Sequence, residues 1–484
     1  MIFLFSFFWF IRTTKALLFW IYLWQLKDYH LGRFIDHFRT AKGKQIFLNP
    51  LFLGKLVLFT MLFWYPQVAL LLLGIYILEG ALTFKALLQK RLLKPVWTAK
   101  TGLLVLLGLG IEIVFLGVVT SSFGIWYLQL LLGFDIIAPK IFSLLVLLLQ
   151  PWTVLVRNRI IAKAKNRRKQ FPNLLVIGIT GSYGKTTTKE FLAHILSKKF
   201  KVLKTKEHQN SEVGVSNCIL QELKPEHQVF VCEMGAYNKG GIKLLASIAK
   251  PSIGVLTGIN QQHMATFGSQ ENIIQAKYEL IESLPASGVA FFNAKNKYCV
   301  ELYNKTNIRK ALYGQAANFL GEENILGAMA VAKELGMTDE EISGAVKEID
   351  TRFPGAKIQK GKDGFTIIEA TYSANPDGVL AALEYLKTWP GKKVIVMPCL
   401  IELGSASREV HKAIGEKIGE VCDLAIITTR DRFHDIQQGA GGSEKVLFIE
   451  NPIEIVERIK NATQAGDVVL LEGRIPQLLL SYLI

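Results

Sequence analysis

Four long apolar runs in the first third of the chain set the tightest limit on what it can fold into. Residues 2–26 are almost wholly apolar and aromatic, and their only charges are Arg12 and Lys15. Residues 56–84, 102–119 and 136–156 repeat the pattern, with Pro66 near the middle of the first of these. A bilayer crossing takes ~20 apolar residues, more than a soluble core helix usually needs. The connecting stretches 27–55, 85–100 and 157–169 are basic, the last with seven cations. Lys and Arg collect in cytoplasmic loops, so all three stretches are assigned to the cytoplasm. An even number of crossings must then join consecutive basic loops. Residues 56–84 become a hairpin turning at Tyr65-Pro66-Gln67, and 102–156 a second one turning near Thr120 to Gly124. Adding the first segment predicts about five crossings, or four. No small-residue cleavage site follows residues 2–26, so this segment is expected to stay as an anchor.

Charge divides the chain as sharply as hydropathy does. Residues 1–171 hold 21 Lys+Arg against 5 Asp+Glu and so carry the whole formal charge of +16. The remaining 313 residues hold 35 of each. A basic flank on membrane segments accounts for this, and no nucleic-acid partner is expected. Residues 157–169 read as a basic juxtamembrane helix or linker, drawn to anionic membrane lipids by about 1 kcal/mol per cation. Glu79, Glu112 and Asp135 lie inside or beside the apolar runs. Glu112 is mid-segment, where ionisation is costly: it is either a functional group or a protonated, hydrogen-bonded carboxyl. Cys218, Cys232, Cys299, Cys399 and Cys422 show no regular spacing and sit in apolar segments, as reduced core-filling residues do. The part after residue 171 reads as cytosolic, and the whole as a multi-pass protein of the inner or plasma membrane.

Phe171-Pro172 closes the basic stretch, and strands then alternate with helices. Strands are predicted at 174–180, 201–205, 228–234, 252–259 and 288–293, and helices at 185–198, 242–249, 269–284, 322–335 and 338–349. A second run has strands at 364–370, 392–397, 424–428 and 467–471, and helices at 376–388, 407–421 and 452–463. Such alternation makes parallel sheets covered by helices. The fold class is therefore α/β. A helical transmembrane region, 1–156, is followed by a linker at 157–172. A P-loop parallel-sheet ATPase domain at 173–350 and a Rossmann-like C-terminal domain at 351–484 complete the chain.

Chemistry concentrates first at Val176-Ile-Gly-Ile-Thr-Gly-Ser-Tyr-Gly-Lys-Thr-Thr-Thr-Lys189. A buried strand ends in a glycine loop and a helix begins, which makes a phosphate cradle. Gly181 and Gly184 let backbone N–H groups face an anion, Lys185 supplies a cation, and the Thr186 hydroxyl suits Mg²⁺. ATP is the expected ligand. Glu233 ends the strand Val229-Phe-Val-Cys-Glu, at the sheet edge where ligands bind, and suits Mg²⁺ or simple solvation. His263 follows the next strand at the same edge. Lys277, in Gln-Ala-Lys-Tyr-Glu, reads by itself as a solvated helix lysine.

Taken in order, Gly181-Ser-Tyr-Gly-Lys-Thr-Thr-Thr-Lys, Glu233-Met-Gly-Ala, His263-Met-Ala-Thr-Phe-Gly-Ser and Gln275-Ala-Lys-Tyr-Glu resemble the Mur ligase family. Support comes from Thr205 to Gly214, from Tyr372-Ser-Ala-Asn-Pro-Asp, and from Glu402-Leu-Gly with His411. The resemblance covers about 173–484 and is strongest to the branch that adds D-alanyl-D-alanine to UDP-MurNAc-tripeptide. It implies an ADP-forming amide ligase of peptidoglycan synthesis that acts through an acyl phosphate. Lys185, Lys277 and His263 would be catalytic. Gly181, Ser182, Gly184, Lys185, Thr186 and Thr187 would hold the ATP phosphates, and Asn324 would contact adenine. Thr186 and Glu233 would bind one Mg²⁺, and His263 a second, bridged by Lys277 as a carbamate. His208, Asn210, Ser211, Tyr372 and Asn375 would read the peptidoglycan precursor, UDP- or lipid-linked.

The departures fall on substrate-reading positions. An apolar region stands where the family has its UDP-binding domain, and a small sheet insertion is missing between Gly314 and Asn324. Glu369-Ala-Thr-Tyr-Ser-Ala-Asn375 stands for Asp-Asp-Ser-Tyr-Asn-Ala-Asn, Gly355-Ala356 for Gly-Arg, with Arg352 and Lys357 as stand-ins, and Glu472-Gly-Arg474 for Lys-Gly-Ser-Arg. A ligase resembling poly-amino-acid synthetases and a non-catalytic ATP-binding membrane scaffold are the alternative readings.

Overall fold

A computed structural model describes residues 2–206, 209–317, 321–349, 357–370 and 375–484. They form two units, Met1–Val156 and Arg157–Ile484.

The first unit is built from helices: α1 (Ile2–Leu26), α2 (Leu31–His37), α3 (Ala41–Phe47), α4 (Pro50–Met61), α5 (Ala69–Leu88), α6 (Ala99–Ser122) and α7 (Tyr127–Leu148). Helix starts follow local chemistry. Asn49 caps α4 ahead of Pro50, and Thr98 forms a capping box with Thr101 at α6. Aromatic residues fill the centre: Trp9, Trp20 and Trp24 of α1 are buried, and Trp24 stacks on Phe34 at 3.9 Å. Among the described residues, four segments are long and apolar enough to cross a membrane: α1, Pro66–Leu88, α6 and Tyr127–Lys169. The predicted turn at Tyr65-Pro66-Gln67 is present, but α4 has 12 residues and reaches only ~18 Å. The predicted hairpin is thus lopsided, with one short limb.

Polar residues gather inside this unit. Lys55 is 1% exposed and bonds both Glu79 (2.5 Å) and Asp135 (2.6 Å). Arg12 approaches the same two acids at 3.0 and 3.7 Å. Glu112, fully buried, accepts from Thr14 Oγ1 at 3.0 Å.

The second unit begins inside helix α8 (Gln150–Lys169). The basic stretch is therefore helix, and its last turns belong to the core: Ile161 and Ala164 are buried in it. Arg168 is buried too and donates to the carbonyls of Ala249 (2.9 Å), Phe171 (2.6 Å) and Leu174 (3.0 Å).

Two six-stranded sheets follow. The first comprises β1 (Leu175–Thr180), β2 (Val202–Lys204), β3 (Val229–Glu233), β4 (Ile253–Leu256), β5 (Val289–Asn293) and β6 (Arg309–Tyr313), all parallel, in the order β2-β3-β1-β4-β5-β6. The second comprises β7 (Lys357–Lys360), β8 (Thr366–Ala370), β9 (Lys393–Met397), β10 (Leu424–Ile427), β11 (Val446–Phe448) and β12 (Val468–Glu472), in the order β11-β10-β9-β12-β8-β7. Only β7 among them runs antiparallel. Continuous apolar strands such as Val468-Val-Leu-Leu, buried on both faces, are what helix-covered parallel sheets require. The predicted strands and helices are all present. Periodicity did not reveal the helices at 212–221, 264–267, 297–305, 433–439 and 477–483 or the strands at 309–313, 357–360 and 446–448. All five cysteines are free and buried, in the expected core-filling role.

Candidate active site

In a doubly wound sheet, ligands bind at the carboxyl ends of strands flanking the point where strand order reverses. In the first sheet that point lies around β1, and the loop after it, Gly181–Gly184, opens helix Lys185–Leu196. Gly184 has φ +75°, and a Cβ there would lie 2.3 Å from Asn324 Oδ1. At Gly181 a Cβ would lie 2.1 Å from Thr257 Oγ1. Neither position has room for a side chain. The loop is tied from below: Thr257 Oγ1 donates to Tyr183 O (2.5 Å), and Ser182 N donates to Gly258 O (2.6 Å).

Lys185 is packed in the loop, with Nζ donating to Ser182 O at 3.2 Å. Burial pushes its pKa down, against the pull of Glu233. Thr186 Oγ1 donates to Glu233 Oε2 at 3.0 Å, and Asn210 Nδ2 to Glu233 Oε1 at 3.0 Å. Three predicted residues from three separate segments thus meet at one carboxylate. Lys189, which the sequence did not single out, joins them. It is fully buried, 3.3 Å from Glu233 Oε2, and its Nζ has no hydrogen-bond partner among the described residues. Position four of the helix after Lys185 was the available signal, since it returns to the same helix face.

His263 has φ +65° and points Nδ1 at Glu402 Oε2, 2.6 Å away. The carboxylate can only accept, so Nδ1 carries the hydrogen. Burial lowers the pKa of the ring, opposed by Glu402 and assisted by Lys277 and Lys185. A neutral ring protonated at Nδ1 leaves the Nε2 lone pair for a ligand. Lys277 is not the solvated lysine its helix pattern suggests: it is 3% exposed, and no ion pair forms to it among the described residues. Burial, then repulsion from Lys185, lowers its pKa to about 7.

The remaining predicted residues are spread more widely. Asn324 Oδ1 accepts from Thr188 Oγ1 (3.2 Å) behind the loop. Ser211 caps helix Glu212–Gln221 by accepting from Gly214 N, and Asn375 caps Pro376–Lys387 in the same way. His208 and Tyr372 lie outside the described residues, as does Arg352. His411 has both ring nitrogens engaged, by Leu400 N (2.9 Å) and Ser407 O (2.5 Å), a structural role.

The edges of the two sheets face each other across this site. Asn260, after β4, donates to Asp377 and lies 3.5 Å from Asn375 Oδ1, both following β8. Ala265 N donates to the carbonyl of Glu402, which follows β9. Asp377 closes the Tyr372-Ser-Ala-Asn-Pro-Asp motif, whereas Asn260 carries no sequence signal of its own, because it matters only through this contact.

Comparisons with known proteins converge on one family. Residues 179–357 match the Mur ligase middle domain, and residues 356–475 match the Mur ligase, glutamate ligase domain. The UDP-N-acetylmuramoyl-tripeptide--D-alanyl-D-alanine ligase of Synechocystis sp. is 31% identical over 326 residues, 62% of this chain and 71% of that protein. The Bacillus subtilis enzyme of the same name is 27% identical, covering 62% and 72%. Among solved structures, MurF ligase from Thermotoga maritima in complex with ADP superposes with a TM-score of 0.58 at 26% identity, covering 67% of this chain and 83% of that one. A MurF crystal structure from Acinetobacter baumannii gives 0.58 at 26% identity, covering 66% and 77%. The chain belongs to the Mur ligase family and is an ATP-dependent, ADP-forming peptide ligase.

Proposed function

We propose that this ligase joins an amino acid or dipeptide to the carboxylate of a peptidoglycan precursor, with D-alanyl-D-alanine addition to UDP-MurNAc-tripeptide as the specific reaction. Its apolar helices would hold it at the cytoplasmic face of a membrane. The observation that carries the reading is the meeting of Thr186 and Glu233 at the end of the glycine loop, with the His263 ring near enough to Lys277 and Lys185 to feel their charge.

A carboxylate is a poor acyl donor, so its oxygen first attacks the γ-phosphorus of ATP. The bond to the β-phosphate oxygen breaks and ADP leaves. The acceptor amine then attacks the acyl carbon, the bond to phosphate breaks, and the amine gives up a proton. Lys185 and the loop N–H groups offset the phosphate charge that repels the incoming carboxylate. Asn260 and Asp377, one on each sheet edge, hold the two edges together and help exclude water from the acyl phosphate.

The donor set fits Mg²⁺ at Thr186 and Glu233, an oxygen pair 3.0 Å apart. No group of three or more His, Cys, Asp or Glu gathers among the described residues. A second ion at His263 would be served by Lys277 as a carbamate, which would give that side chain the oxygens an amine lacks. Its low pKa supports that, because only the neutral amine adds CO₂. Bound Mg²⁺ would supply charge neutralisation at the transferring phosphoryl group.

The test is ADP release by the full chain, given D-alanyl-D-alanine with either UDP-MurNAc-tripeptide or a lipid-linked precursor. Turnover with either supports the ligase reading, and the preferred one names the carrier. ATP binding without turnover on any carboxylate would instead favour the scaffold.

A further inference from the structure

Four consecutive polar residues, Arg12-Thr13-Thr14-Lys15, interrupt the apolar helix α1 near its middle. Consecutive helical residues point about 100° apart, so the four face nearly every direction. Three find partners. Arg12 meets Glu79 and Asp135, Thr13 donates to Trp9 O (3.1 Å), and Thr14 donates to Glu112. Lys15 makes no hydrogen bond or ion pair among the described residues. Of the acids that reach this layer, Arg12 and Lys55 share Glu79 and Asp135, and Glu112 takes the Thr14 hydroxyl but forms no ion pair to Lys15 among the described residues.

Lys15 instead lines a groove of about 190 Å³. Phe10, Ile11, Leu18 and Leu92 wall it, and Lys15 is its one charged lining residue. The hydroxyls of Thr14 and Thr83 also reach the groove, but their hydrogens are committed to Glu112 and to the carbonyl of Glu79 (2.6 Å). Lys15 is left as the donor. Leu92 belongs to the stretch carrying Lys85, Lys90, Arg91 and Lys94, which adds positive potential beside the groove. A lone cation set among apolar walls is costly until an anion meets it.

We propose that this groove binds a phosphate-bearing lipid, with the phosphate on Lys15 and the hydrocarbon chain along the apolar walls. Charge complementarity selects the headgroup, and the absence of other donors in the wall selects an amphiphile over a soluble phosphate. The site rests on the reading of the first unit as membrane-embedded but not on which amide the ligase forms.

The experiment uses the full chain, purified in maltoside micelles, with dodecyl phosphate as probe and thermal stabilisation as readout. Resistance of wild-type and variant chains to carbonate extraction from membranes is checked first. A chain released by carbonate overturns the membrane reading itself. With the chain retained, wild type is expected to show saturable stabilisation by dodecyl phosphate. Lys15→Met should bind about tenfold more weakly, while Lys15→Arg keeps the binding. Methionine is at home in an apolar helix, so the loss would not reflect misfolding. Equal binding by Lys15→Met overturns the site, as does equal stabilisation by dodecanol, which would mean a purely apolar groove. Competition by inorganic phosphate would assign the site to a free anion and overturn the lipid.

Discussion

His263 Nδ1 and Glu402 Oε2 lie 2.6 Å apart although 139 residues separate them in the chain. Both have positive φ, a backbone state that non-glycine residues adopt only when the surroundings hold them there. The pair joins the loop after β4 to the loop after β9 and fixes which imidazole nitrogen carries hydrogen.

Glu402→Ala should free the ring to take either tautomer. Carboxylates that orient ligand histidines are typically worth about 10–100-fold in metal affinity or activity. The expected outcome is a loss of turnover in that range, partly recovered at high Mg²⁺, with the melting temperature little changed. Unchanged Mg²⁺ dependence would mean that the pair only docks the two sheets.

Lys277→Ala should abolish ADP release, and formate or acetate should restore part of it by standing in for a carbamate. In the wild type, a pKa of about 7 leaves Lys277 largely neutral above that value and protonated below it. Activity should therefore fall as pH drops through 7, and added bicarbonate should move the fall to lower pH. Full activity of the alanine variant without any carboxylate removes the carbamate from the scheme.

Glu472, at the end of β12, is buried, and desolvation raises its pKa to about 8. In the unfolded chain it ionises near ~4.3. The folded state therefore holds the proton more tightly. Its stabilisation is complete below the unfolded value and is lost as pH rises through about 8. Glu472→Gln keeps the shape without the ionisation, so it should be more stable than wild type by roughly 3 kcal/mol at pH 7. The gap should close by pH 4. Melting curves of the full chain at the two pH values decide it, and a gap that does not change with pH contradicts the assignment.

Arg168→Met should destabilise the ligase unit by about 2–4 kcal/mol, because three carbonyls lose their donor in a buried setting. Lys163→Met, an exposed change on the same helix, should stay within ~0.5 kcal/mol. Chemical denaturation of both variants provides the comparison, and equal effects would show that the stretch acts through net charge alone.

Much of the fold was legible because its signals are local. A strand buried on both faces is a short run of apolar residues, and a helix start needs only its cap. Helix Glu212–Gln221 carries a weak local signal, because Gly214, Ser216 and Asn217 blur its apolar face. Only Val215, Cys218 and Ile219 show which side is buried. The phosphate loop was legible for the same reason: its glycines, lysine and threonine act within one turn of chain.

Local patterns along the chain specify the order of elements, the apolar first third, the phosphate loop and the family to which the chain belongs. Tertiary structure alone decided that Lys277 is buried rather than solvated, that Lys189 reaches Glu233, and that the basic stretch ends inside the ligase core. It also decided that Lys55 and Arg12 use up Glu79 and Asp135, leaving Lys15 alone. The physical reason is that charge and hydrogen-bond partners are settled by what packing brings within about 3 Å. No pattern along one strand or helix records which distant segment will arrive there.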